Sequence, residues 1–167
     1  MMKWRCSRLS RVAEMSVKIQ HEDFDVGAEM DALRAMSNNV GALVSFVGLV
    51  RDMSYNDKVE NIYVEHYPGM SEKALTKIID EAKQRWELLG VRVIHRVGTL
   101  GPNEQIVLVA TASSHRGHAF SSCEFIIDYL KTDAPFWKKE VKPQGGEWVV
   151  TKDSDVQRME RWHQQSK

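Results

Sequence analysis

Residues 91–120 read VRVIHRVGTLGPNEQIVLVATASSHRGHAF, and their pattern decides the class of fold. Val91–Val97 and Gln105–Ala112 read as two strands, both rich in β-branched residues. The Gly98–Glu104 loop between them carries Gly101–Pro102, a turn signal. Ser113–Ser114 closes the second run and can cap a helix whose buried stripe is Ala119, Phe120, Cys123, Ile126, Ile127 and Leu130. Two strands joined by a short loop and handed on to an amphipathic helix form an α+β unit.

Upstream, Val17 and Ile19 share one face of a short strand, and Asp23 or Asp25 can cap a helix running to about Ser37, where Asn38–Asn39 stop it. Gly41–Arg51, GALVSFVGLVR, reads as a central strand covered on both faces. Gly48 inside it marks a bulge or a close approach, and Arg51 stands at its mouth. Asp52–Lys58 is a polar loop, and the alternating Val59–His66 pairs naturally with the preceding strand as a hairpin. Pro68–Gly69 is a turn, Ser71 an N-cap, and the helix that follows ends at Gly90.

Downstream, Asp128–Lys142 reads DYLKTDAPFWKKEVK: a helix ending at Lys131, a proline-aromatic knuckle at Ala134–Trp137, then Lys138 and Lys139. After the Gly145–Gly146 turn, Trp148–Val150 makes a last strand and Asp153 caps a segment reaching Trp162. The order β-α-β-β-α-β-β-α-β-α predicts an α+β domain on a mainly antiparallel sheet. Residues 1–14 are expected to be a disordered N-terminal extension and 15–167 a single domain.

Composition narrows the function classes. Twenty-three basic and 23 acidic residues cancel, so the basic excess that nucleic-acid or membrane-surface binding needs is missing. No apolar run approaches the roughly 20 residues of a membrane span. Cys6 and Cys123 lie far apart and fit a reduced, cytoplasmic setting. The six histidines show no metal-type spacing, and GxSxG, CxxC and phosphate-binding glycine loops are absent. What remains is a set of cations at element ends: Arg51, His115, Arg116, Lys131, Lys138 and Lys139. His115 and Arg116, at a strand-to-helix junction, suit a phosphate or carboxylate, or else a surface ion pair. A lysine ending a helix needs no function, because the dipole favours it there. The knuckle adds more: Pro135 fixes the backbone, and Phe136 and Trp137 can partly desolvate a neighbouring lysine, lowering its pKa toward that of a base or nucleophile.

Together, VEHYPGMSEKAL (64–75), VIHRVGTLGPNEQIVLVATASSHRGHAF (93–120), DYLKTDAPFWKKE (128–140) and GALVSFVGLVR (41–51) closely resemble the large, catalytic subunit of molybdopterin synthase, over about Val17 to Trp162. The resemblance implies an α/β-hammerhead-type α+β domain and a sulfurtransferase that inserts two sulfurs into cyclic pyranopterin monophosphate. The sulfur comes from the C-terminal Gly-Gly thiocarboxylate of a small ubiquitin-like partner, one at each end of a central homodimer. The resemblance places catalysis on Lys131 and Lys138, and substrate contacts on Leu49, Val50, Arg51, His115, Arg116, Lys139 and Glu140 as well. It implies no metal or other cofactor. Leu49 stands where some members carry lysine, and Lys152 where an arginine is often found, which removes a bidentate fork. A non-catalytic module that docks a tail or a phosphorylated ligand is the other reading.

Overall fold

The two strands flanking Gly98–Glu104 lie antiparallel in the middle of the first sheet. The computed structural model describes residues 14–54 and 57–164. Its elements are β1 (Glu14–Gln20), α1 (Val26–Ala35), β2 (Ala42–Leu49), β3 (Met53–Ser54), β4 (Asp57–Lys58), β5 (Asn61–His66) and α2 (Met70–Arg85). They continue with β6 (Gly90–Arg96), β7 (Gly98–Leu100), β8 (Gln105–Ser113), α3 (Arg116–Thr132), β9 (Phe136–Lys142), β10 (Gly145–Trp148) and α4 (Asp153–Gln164). One four-stranded sheet runs β1-β6-β8-β2, a second runs β10-β9-β5-β7, and β3 pairs with β4 alone. Among the described residues only β1 with β6 is parallel. This is the expected α+β architecture. No described helix is long and apolar enough to cross a membrane.

The strand period of two explains why β6 and β8 are buried along nearly their whole length. Val107 and Val109 turn to one face and pack with Leu75, Ile79, Phe125 and Ile126 of α2 and α3. Leu108, Ala110 and Ala112 turn to the other and meet Phe24 and Leu33 at α1. Both faces are covered, so no polar alternation survives. A separate cluster, Val50, Val59, Ile62, Val64, Val97, Leu100 and Ile106, lies under the second sheet.

Several expectations change. β2 lies at an edge of its sheet, and Phe46 and Leu49 are exposed, so it is not the doubly covered central strand expected. The bulge does fall at Gly48, where the register shifts and an added Cβ would sit 2.8 Å from Val107. β5 pairs with β7 and β9 rather than with β2, because the chain crosses to the second sheet after the β3–β4 ribbon. The Gly98–Glu104 loop is itself part strand, β7. The cap of α2 is Gly69, with φ 81°, whose N–H donates to Glu72 at 2.6 Å. Ser71 is buried instead: its hydroxyl donates to the Pro135 carbonyl at 3.1 Å, tying α2 to the knuckle. The helix ends at Trp86, and Gly90 opens β6, where a Cβ would meet Leu33 and Met36 at 2.8 Å. Phe120 leaves the expected stripe of α3 and is 64% exposed. β10 covers Gly145–Trp148, leaving Val149 and Val150 outside any strand. Of the expected N-terminal extension, only Glu14 lies within the described residues, and it begins β1.

α4 is fastened by one buried carboxylate. Asp128, 4% exposed on α3, accepts from the Arg161 guanidinium at 2.8 Å and from the Trp162 indole N–H at 2.9 Å. Trp162 packs edge-on against Trp86 and Phe125 at 5.7 and 5.5 Å between centroids. Breaking a buried charged contact leaves its partners desolvated and unpaired. Asp128→Ala is therefore expected to cost roughly 2–4 kcal/mol in urea unfolding. Limited proteolysis should then cut near α4 first; a variant as stable as wild type would mean that Trp162 packing alone secures the helix.

Candidate active site

A cleft of about 1000 Å³ opens between β2, the C-terminal half of α3, the start of β9 and the segment leading into α4. Its walls are apolar at Val44, Phe46, Phe120, Ile127, Val149 and Val150. Five cationic side chains, Arg51, Lys131, Lys138, Lys152 and Arg158, line it together with Glu124, Asp128 and Asp155. Cations on apolar walls suit an anionic ligand with a flat or hydrophobic body.

Local structure places each lysine. Lys131 stands in the last turn of α3, its side chain 43% exposed and 3.9 Å from Asp155. Lys138 follows the knuckle on β9, opposite Val64 of β5. The residue as a whole is half-buried, but protein crowds its ammonium, and this burial, then the Lys131 charge, hold it below the ordinary lysine range. Asp155 opposes that shift. Such a lysine gives up its proton more readily than a free one. Arg51 leaves from a pinned backbone: the Val50 N–H donates to the Glu104 carbonyl at 2.9 Å, and the Asn103 N–H to that of Val50 at 2.8 Å.

Other expected site residues lie elsewhere. Leu49 is exposed at the end of β2, and Val50 is buried in the second cluster; neither lines the cleft. Lys139 points from the opposite face of β9 and sits 5.7 Å from the Trp148 ring centroid. Glu140 is half-buried, 4.0 Å from Lys142. His115 and Arg116 are exposed at the start of α3, outside the cleft. His115 is the N-cap residue of α3, and its own N–H donates to Ser113 at 3.2 Å.

Sequence reasoning missed His95. It sits in a buried strand, yet it lines the cleft, itself fully buried and stacked on Phe136 at 3.9 Å and 10°. Nδ1 lies 2.8 Å from the Arg96 carbonyl, so it carries the proton, and Nε2 has no partner among the described residues. Burial first, then the Lys138 charge, depress the ring to about 3, so it is neutral at physiological pH. Asp155 and Arg158 were missed because nothing in the periodicity of α4 says which of its faces meets a cleft. Cys123 also lines the cleft, but burial pushes its thiol up to about 12, which removes it as a nucleophile. No group of three or more His, Cys, Asp or Glu among the described residues is placed to hold a metal ion.

A profile of the MoaE protein family matches residues 19–133. The chain belongs to the MoaE family. It is 54% identical over 147 residues to the molybdopterin synthase catalytic subunit of Ralstonia nicotianae, covering 88% of this chain and 84% of that protein. The molybdopterin biosynthesis MoaE protein of Burkholderia ambifaria superposes with a TM-score of 0.77 at 53% identity, over 89% of this chain and 98% of that one. Molybdopterin synthase from Staphylococcus aureus gives 0.75 at 32% identity, over 80% and 96% of the two chains. The MoaE match spans the first-sheet core and α3, Lys131 included, and the alignment with the Ralstonia protein covers 88% of the chain.

The buried imidazole of this MoaE-family chain couples stability to pH. His95 is neutral when folded and charges near 6.5 when free, so its contribution is complete above pH 6.5 and is lost as the pH falls toward 3. The loss is about 1.4 kcal/mol per pH unit. Between about pH 7.5 and about pH 5, wild type should lose roughly 2 kcal/mol more in urea unfolding than His95→Phe, which keeps a ring on Phe136. Equal losses in both proteins would show that His95 does not charge on unfolding.

Proposed function

We propose that this chain is the catalytic subunit of a molybdopterin synthase, a cytoplasmic sulfurtransferase of molybdenum cofactor biosynthesis. It inserts two sulfurs into cyclic pyranopterin monophosphate to form the molybdopterin dithiolene. The sulfur donor is the C-terminal Gly-Gly thiocarboxylate of a small ubiquitin-like partner. The observation that carries this reading is the meeting of Lys131 and Lys138 in one cleft, where burial holds Lys138 below the ordinary lysine range.

The apolar walls and Arg51 suit an extended tail ending in an anion and a flat ring bearing a cyclic phosphate. At each insertion sulfur attacks a pyranopterin carbon that bears oxygen, and the carbon–oxygen bond breaks with its oxygen leaving protonated or on the phosphate. Water hydrolyses the acyl–sulfur bond, leaving sulfur on the pterin and a carboxylate on the tail. Lys131, the more exposed ammonium, holds the anion and stabilises charge that develops on oxygen. Lys138, the more desolvated, moves the protons that attack and ring opening require. Lys139 and Glu140, which do not line the cleft, serve this reading only as part of the strand that carries Lys138, and Leu49 and Val50 only through the backbone that presents Arg51.

His115 and Arg116 support a homodimer. Arg116 and Lys131 lie 15 positions apart on α3, about 22 Å along the axis at 1.5 Å per residue. That span is too long for one compact ligand, so we assign the His115–Arg116 pair to the neighbouring subunit's cleft. The complete assembly is then two catalytic chains with one small partner on each.

The test is turnover of pyranopterin to dithiolene with thiocarboxylated small subunit. Lys131→Ala and Lys138→Ala should each lower the rate on the order of 10²–10³. Arg51→Ala should mainly raise KM. Absence of product with the wild-type chain would favour the non-catalytic docking module.

A further inference from the structure

The lysine pair has a third charged member. We propose that Asp155 is a positioning residue, the internal counter-ion that decides how Lys131 and Lys138 divide anion binding and proton transfer; this rests on the reading of the cleft as the sulfur-transfer site. Asp155 stands in the first turn of α4, 3.9 Å from Lys131 and lining the same cleft as both lysines. A carboxylate is favoured at that end of a helix. The other lining carboxylates are committed elsewhere. Glu124 meets Arg161 at 2.6 Å and Arg158 at 3.9 Å, and Asp128 meets Arg161 and the Trp162 indole.

The position of Asp155 is built. Its N–H donates to the Lys152 carbonyl at 2.9 Å, and the Asp128 clamp holds the far end of the helix. The Arg85 guanidinium, donating to the Trp162 carbonyl at 3.0 Å, adds a second anchor from α2. Around the lysines stand neutral His95 from β6, His66 beyond Phe136 from β5, and Arg51 after β2. Lys152 and Arg158 complete the lining on the α4 side. Among these groups Asp155 is the anion whose charge acts on Lys138, against both burial and Lys131.

Removing that charge has a definite sign. In Asp155→Asn only the lowering influences on Lys138 remain, so its titration should move further down. If Asp155 merely secured α4, its loss would let water reach Lys138, and the titration would move up toward that of a free lysine.

The experiment follows Lys138 by NMR pH titration of protein carrying ¹³C-labelled lysine, assigned with Lys138→Arg, in wild type, Asp155→Asn, Asp155→Glu and Asp153→Asn. Asp153 shares the first turn of α4 but is exposed and does not line the cleft, so its variant controls for the helix dipole. The expected result is a fall of about half a pH unit or more in Asp155→Asn. Asp155→Glu should restore the wild-type value, and Asp153→Asn should match it. An unchanged or raised titration in Asp155→Asn overturns the proposal. In turnover with thiocarboxylated partner, the acid limb of kcat should move down by the same interval. A wild-type chain that makes no product would overturn the sulfur-transfer reading, while the titration would still decide the electrostatic role of Asp155.

Discussion

The contact on which this structure depends is the stack of Phe136 on His95. Phe136 packs against both the main core and the cluster under the second sheet, so its ring joins the two halves of the fold. A parallel stack at 3.9 Å contributes about 0.5–1.5 kcal/mol beyond its buried area. The positional consequence is larger. Phe136 and Lys138 share one face of β9, so anchoring the ring aims the lysine at the cleft. Ser71 holds the preceding carbonyl, that of Pro135, which leaves the knuckle little freedom between Lys131 and Lys138.

That arrangement sets the electrostatics. A neutral imidazole beside a desolvated ammonium avoids adding a further positive charge to a crowded floor. The tautomer is chosen by the Arg96 carbonyl, which takes the one proton the ring has. Around this floor the cations of the walls come from separate parts of the chain: Arg51 after β2, Lys131 from α3, Lys138 from β9 and Arg158 from α4. α4 packs on α3, and the Asp128 carboxylate makes that docking specific by gripping both a guanidinium and an indole. The cleft is therefore completed by the C-terminal helix.

Much of this was legible beforehand. The β-branched, strand-length runs of β6 and β8, the helical stripes of α2 and α3, the bulge at Gly48 and the knuckle before Lys138 are local patterns, and local patterns survive folding. Pairing partners were not. β5 alternates well enough to pair with any neighbour, and its choice of β7 and β9 follows from where the chain crosses between sheets. Gly90 looked like a helix stop, but it is a glycine because Leu33 and Met36 press on it. Ser71 looked like a cap, but its hydroxyl is spent on Pro135 sixty-four residues away. His95 was hidden for the same reason: the pattern of a strand gives no sign that one of its residues borders a cleft.

By itself the sequence determined the class of fold, the family, and the two lysines that the fold brings into one cleft. These depend on residue type and short spacing, and a chain carries both openly. Only the tertiary structure decided which charges share a space. It brought Asp155 to Lys131, buried the head of Lys138 and left His95 neutral behind Phe136. It also set His115 and Arg116 at the far end of α3 from the lysine there. The reason is that solvation and Coulomb interactions depend on distance through the folded protein, and sequence separation does not encode that distance.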